Sequence, residues 1–135
     1  MSTRSFTLLP HSNPTADDVR VAAIADPAFG RVFTDHMVSV RYTEGKGWHD
    51  AQIMPRGPLL LDPATAVLHY AQEIFEGLKA YRTENGDIAM FRPQANASRF
   101  NASARRMAMA EIPEDLFVDA CKALVEIDKD WFPNV

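Results

Sequence analysis

A single cysteine, Cys121, occurs among the 135 residues, so no disulfide can close within the chain, and this usage fits a reducing compartment. Positive charge is also short: 14 Lys and Arg face 18 Asp and Glu, a net charge of −4. That balance offers no basic footprint for nucleic acid or an anionic membrane. No apolar run approaches the roughly 20 residues of a membrane span. Val21–Ala25 and Leu59–Leu61 are typical of the runs present. Met1–Pro14 holds no long apolar stretch, which argues against a secretory signal. Together these absences predict a soluble, cytoplasmic domain.

With 47% hydrophobic and 24% charged residues, the chain has the composition of an ordinary globular domain. Residues 1–28 read as an N-terminal arm kept irregular by Pro10, Asn13 and Pro14. Thr15 is positioned to cap a short helix with Asp17 and Asp18 in its first turn and Val21, Ile24 and Ala25 as its apolar stripe. Asp26-Pro27 should end it. From Phe29 to Val135 the pattern predicts a small α+β domain. Val32–Tyr42 is rich in β-formers, Thr43–Gly47 is a flexible connection, and Trp48–Met54 reads as an antiparallel return. On that pairing Arg41 or Tyr42 faces Trp48 or His49, and His36 lies near Met54.

Leu59–Leu61 is a candidate short buried strand, and Ala64–Glu76 fits helix or strand. Asn85-Gly86 suits a tight turn between strands at Leu78–Thr83 and Ile88–Phe91. Pro93 should open a helix whose stripe is Ala97, Phe100, Ala104 and Met107. Pro113 should introduce a second, with Phe117, Ala120, Cys121, Leu124 and Ile127 on one face. The expected fold class is α+β: a mostly antiparallel sheet with helices packed against it.

Candidate chemistry is sparse. His36, His49 and His69 have no HExxH or Cys/His spacing, so a metal site is not expected. There is no GxSxG elbow, and Cys121 falls on an apolar helix stripe, where an inert thiol is the default. Phosphate cradles of the GxGxxG or P-loop type are absent. Among four lysines, Lys79 reads as a solvent-facing strand residue. Arg99, one position off the Phe100 stripe, could turn a planar fork of donors toward a phosphate or carboxylate. The rival reading is a solvated face, since Arg92, Arg99 and Arg106 recur every seven residues. Phe29, Tyr70 and Phe75 stand beside irregular segments, where either pocket walls or core packing would use them.

Phe29-Gly30-Arg31-Val32-Phe33-Thr34-Asp35-His36-Met37 and the run Leu68-His69-Tyr70-Ala71-Gln72-Glu73-Ile74-Phe75-Glu76-Gly77-Leu78-Lys79-Ala80-Tyr81-Arg82 carry a resemblance. With Phe91-Arg92-Pro93, Arg99-Phe100 and Ser103-Ala104, they resemble the branched-chain amino acid aminotransferases. Shorter forms of the pattern occur in D-amino acid aminotransferases and aminodeoxychorismate lyases, and a non-catalytic, self-associating module is a further alternative.

The resemblance implies the small domain of a fold-type IV enzyme dependent on pyridoxal 5′-phosphate. Such an enzyme passes the amino group of leucine, isoleucine or valine to 2-oxoglutarate and works as a homodimer. Arg99 matches the arginine that holds the cofactor phosphate. Phe29, Tyr70 and Phe75 match residues lining the pocket for the aliphatic side chain. The lysine that carries the cofactor as a Schiff base is expected beyond Val135 in a large catalytic domain, and none of the four lysines matches it. The apolar ending Trp131-Phe132-Pro133-Asn134-Val135 likewise predicts that more chain should follow. The 135 residues alone are expected to be inactive.

Overall fold

In a computed structural model, residues 6–27 and 29–133 are described, so the arm boundary at residue 28 and the Asn134-Val135 ending lie outside the described residues. The strands are β1 (Thr7–Leu8), β2 (His36–Thr43), β3 (Gly47–Pro55), β4 (Ala80–Arg82) and β5 (Ile88–Met90). The helices are α1 (Asp17–Ala25), α2 (Ala66–Tyr70), α3 (Pro93–Arg106) and α4 (Glu114–Ile127). The class is α+β, as the pattern predicts. Strands form a three-stranded sheet in the order β1-β3-β2 and a separate β4-β5 hairpin.

The long hairpin follows the hydrophobic alternation with one irregularity. Gly45 takes φ +80° in the turn, where Lys46 N–H donates to the Thr43 carbonyl at 3.0 Å. Tyr42 then faces Trp48 and Arg41 faces His49. Between Ser39 and Arg41 the register shifts, and Asp50 sits there in the left-handed region at φ 51°. This bulge gives β3 one extra residue. His36 therefore pairs with Pro55 rather than Met54.

The arm is more integrated than its composition suggests. Thr7 and Leu8 pair in parallel with Gln52 and Ile53, so the sheet is not wholly antiparallel. Helix α1 is capped by Ala16, not Thr15, because the Thr15 hydroxyl donates instead to Asp35 Oδ1 at 2.6 Å. Its expected stripe is not buried; Val21 is 61% exposed. Strand β2 starts four residues later than expected, since the segment before it serves as a junction. At its end Asp35 accepts from the Thr15 hydroxyl, the Thr15 amide at 3.2 Å and the Trp131 indole at 3.2 Å. Trp131 and Phe132 are thus half-buried.

Leu59–Leu61 is not a buried strand. Leu60 is fully exposed, with Pro58 and Pro63 flanking a segment that has no ladder partner. The β4-β5 hairpin is shorter than expected and closes through a longer loop than Asn85-Gly86 alone. Gly86 N–H donates to the Thr83 carbonyl and only Gly86 is left-handed, at φ +86°. That is a type I turn followed by a glycine in the left-handed region, not a two-residue hairpin turn.

Helices α3 and α4 begin beside Pro93 and Pro113 as expected. Ala97 and Ala104 are completely buried, which lets the helices approach closely. The buried Asn101 side chain bonds both the N–H and the carbonyl of Ile112, at 2.9 and 2.8 Å, joining α3 to the loop before α4. Helix α4 is tied to the sheet at both ends. Trp48 donates to the Glu111 carbonyl at 2.8 Å, and Asp128 bonds His36 through its backbone N–H and its ring. Leu116 and Val118 are buried, while Phe117, Cys121 and Leu124 face Val38 and Val40 across an apolar groove of about 670 Å3.

Asn101→Ala leaves a buried donor and acceptor unpaired, and urea unfolding should register a loss of about 2 kcal/mol. For Asp35, burial alone would push the carboxyl up, but donation from Thr15 and Trp131 holds it below its ordinary value of 3.8. A depressed carboxyl stabilises the fold above the unfolded pKa and loses that effect as pH falls. The thermal midpoints of the parent chain and Asp35→Asn should therefore differ at pH 7 and converge between about pH 5 and pH 2.

Candidate functional site

Helix α2 lasts only five residues because Ala71 turns left-handed at φ 49°. The chain then runs irregularly from residue 71 to 79, laid antiparallel along α3. Gln72 donates to the Met107 carbonyl at the far end of α3 at 3.0 Å. Four residues later, Glu76 meets Asn96 and Arg99 near its start. Asn96 and Arg99 are three apart on a helix and so share one face.

Glu76 and Arg99 form a two-pronged ion pair. Arg99 Nε donates to Oε1 at 2.5 Å and Nη2 to Oε2 at 2.8 Å. The Asn96 amide donates to Glu76 Oε2 at 2.5 Å and to the Gly77 carbonyl at 3.0 Å. Hydrogen bonds from Arg99 hold the Glu76 carboxyl below its usual range, and the same bonds raise the Arg99 guanidinium. The two partners differ in access: the Glu76 side chain is 9% exposed, that of Arg99 65%. Arg92 and Arg106, its seven-residue neighbours, are also exposed, but Arg92 lies in the left-handed region just before α3.

The three aromatic candidates stand open. Phe29 is fully exposed, Tyr70 is 82% exposed at the end of α2, and Phe75 is 86% exposed. A Cβ on Gly77 would stand 3.6 Å from the Phe75 ring, so that ring folds back over its own segment. Phe29 lines a recess of about 520 Å3 with Leu78, Lys79, Tyr81, Phe91 and Asn96. Through Asn96 this recess adjoins the Glu76–Arg99 pair. Tyr70 and Phe75 lie outside it. The residue pattern alone assigns no role to Glu76 or Asn96. The only signal was the spacing of Asn96 and Arg99, which says nothing of a partner 20 residues upstream.

The other candidates take separate partners. His36 bonds Asp128 at 2.6 Å, His49 bonds Thr43 at 2.8 Å, and His69 bonds the Pro63 carbonyl at 2.6 Å. Among the described residues, no three His, Cys, Asp or Glu side chains gather to hold a metal. Among the described residues, no helix is long and apolar enough to cross a membrane. Cys121 sits in the apolar groove, and burial pushes its thiol up.

No family model matches the chain. Curated proteins that it resembles include aminotransferases. A probable branched-chain-amino-acid aminotransferase of Streptomyces coelicolor is 57% identical over 133 residues, 98% of this chain and 37% of that protein. The branched-chain-amino-acid aminotransferase of Mycolicibacterium smegmatis is 52% identical over 95% of this chain and 35% of its own length. Branched-chain-amino-acid transaminase 1 of Bacillus subtilis is 50% identical over 78% of this chain and 30% of its own length. Identity this high over nearly every residue makes the chain homologous to the corresponding part of branched-chain-amino-acid aminotransferases. It spans little more than a third of the length of the first two.

A raised thiol pKa leaves little thiolate at neutral pH. Iodoacetamide should therefore alkylate Cys121 in the folded chain more slowly than a free cysteine, with the rate restored in urea. Fast alkylation of the native chain would assign the thiol a reactive role.

Proposed function

We propose that the chain is the small domain of a branched-chain amino acid aminotransferase of fold-type IV. It would present Arg99 to the phosphate of pyridoxal 5′-phosphate and aromatic walls to the substrate. The carrying observation is the identity above one-half with relatives bearing that name. The donor set supports the cofactor's fit. With Nε and one Nη2 hydrogen directed at Glu76, Arg99 keeps further N–H groups on its open side. A dianionic phosphate accepts such a fork of charged donors well. When bound, the cofactor supplies an electron sink that weakens the bond from the amino acid's Cα to its hydrogen. The chain's own residues bind and exclude.

Arg99 anchors the phosphate end. Phe29, Tyr70 and Phe75 face the aliphatic end of leucine, isoleucine or valine, where each buried CH2 contributes about 0.8 kcal/mol. Aromatic walls offer a charged side chain no partner, which favours the branched-chain substrates; 2-oxoglutarate is the acceptor. The near-complete exposure of all three rings supports a pocket that closes against further polypeptide, with Tyr70 reaching into the neighbouring subunit of a homodimer. The residue that carries the cofactor lies in the large domain of such an enzyme, and the lone cysteine fits a cytoplasmic setting.

Pyridoxine 5′-phosphate tests the arginine, because it lacks the aldehyde that would react with surface lysines. NMR titration should show weak binding, with Kd on the order of 1 mM, shifting signals around Arg99. Unphosphorylated pyridoxine should leave them unmoved, and Arg99→Ala should abolish the effect. Binding unchanged in Arg99→Ala would refute the assignment. The 135-residue chain by itself should give no turnover of leucine with 2-oxoglutarate and pyridoxal phosphate; measurable glutamate formation would overturn the division of labour.

A further inference from the structure

The guanidinium of Arg99 has two edges able to make paired hydrogen bonds: a side edge, Nε with one Nη, and an end edge, Nη1 with Nη2. Glu76 takes the side edge, through Nε at 2.5 Å and Nη2 at 2.8 Å. The end edge keeps one Nη1 hydrogen and the second Nη2 hydrogen. We propose that Glu76 is a positioning residue that grips the side edge of Arg99 and so presents the end edge, already oriented, to a phosphate monoester. The proposal rests on the reading of Arg99 as the phosphate arm.

Four observations support this assignment. The carboxylate is enclosed, at 9% exposure, while the guanidinium is 65% exposed, so the free edge lies on the accessible side of the pair. Glu76 is itself held, because Asn96 donates to Oε2 and also to the Gly77 carbonyl. The segment carrying Glu76 is pinned to the same helix through Gln72 and Met107. Finally, Asn96, which holds Glu76, also lines the recess that contains Phe29 and Lys79. A free arginine side chain would have to lose much of its rotamer freedom on gripping a phosphate. Here that ordering already exists before the ligand arrives.

Electrostatics opposes this arrangement, which makes the idea testable by sign. Glu76 cancels the charge of Arg99, so a phosphate meets a nearly neutral pair. If charge alone mattered, or if Glu76 occupied the phosphate's place as a guard, neutralising Glu76 would tighten binding. If positioning matters, neutralising it loosens binding although the local charge becomes more positive.

The test uses the chain with pyridoxine 5′-phosphate and inorganic phosphate as probes, followed by 15N NMR. In the parent chain the Arg99 Nε–H signal should be resolved at pH 7, exchange slowly with water, and persist at saturating phosphate. Glu76→Gln and Glu76→Ala should each lose that protection and bind both probes roughly tenfold more weakly. An Arg99 Nε–H that exchanges freely in the parent chain overturns the proposal without any variant, so misfolding of a variant cannot shield it. Equal or tighter binding by Glu76→Gln, or loss of the Nε–H protection when phosphate binds, overturns it too. These results separate the two claims. Arg99→Ala without effect, or no probe binding by the parent chain, sinks the arginine assignment and this inference together. Abolished binding in Arg99→Ala with tightened binding in Glu76→Gln sinks only the positioning role.

Discussion

A carboxylate nearly closed to solvent must find a positive partner, because an unpaired buried charge costs far more than one good ion pair returns. Glu76 is in that position, and the segment from residue 71 to 79 is arranged around it. The left-handed Ala71 stops α2 early and frees the chain to lie along α3. Gln72 fixes one end of the segment and Glu76 the other. Phe75 and Gly77, on either side of Glu76, take their places from that pairing. The orientation of the guanidinium is therefore a consequence of one enclosed carboxylate.

A second carboxylate does comparable work at the opposite end of the sequence. Asp35 draws Thr15 from the arm and Trp131 from the last turn toward the start of β2. Next to it, His36 takes Asp128 at the end of α4. Arg82 adds the hairpin by donating to the Gly86, Lys129 and Phe132 carbonyls. Polar junctions carry so much of the architecture because the apolar core is thin. Among the described residues, no large side chain is completely buried, and the α4 stripe faces a groove rather than a filled interior.

The exposed surface carries the complementary message. Phe29, Tyr70 and Phe75 would lower their free energy by leaving water, and nothing in the described residues covers them. A chain that spans about a third of its relatives' length, with aromatic rings outward and a guanidinium edge open, has the character of one wall of a site. On the proposed function, that wall would supply selectivity and an anchor.

The sequence by itself determined the α+β class, the two proline-initiated helices, the long hairpin that brings Arg41 and Tyr42 against Trp48 and His49, and the family likeness. These depend on local spacing, on prolines and glycines, and on contiguous motifs, all of which are written along the chain. Arg99 was legible as an anion donor because arginine chemistry and a matching motif agreed. Tertiary structure alone decided that Glu76 holds it, that Thr15 serves Asp35 instead of α1, that Asp50 makes a bulge and moves His36 opposite Pro55, and that Leu59–Leu61 stays in water. Each of those outcomes is a contest between partners distant in sequence, or a backbone twist with no local code. A carboxylate's choice among arginines is settled only when the fold brings one of them within reach.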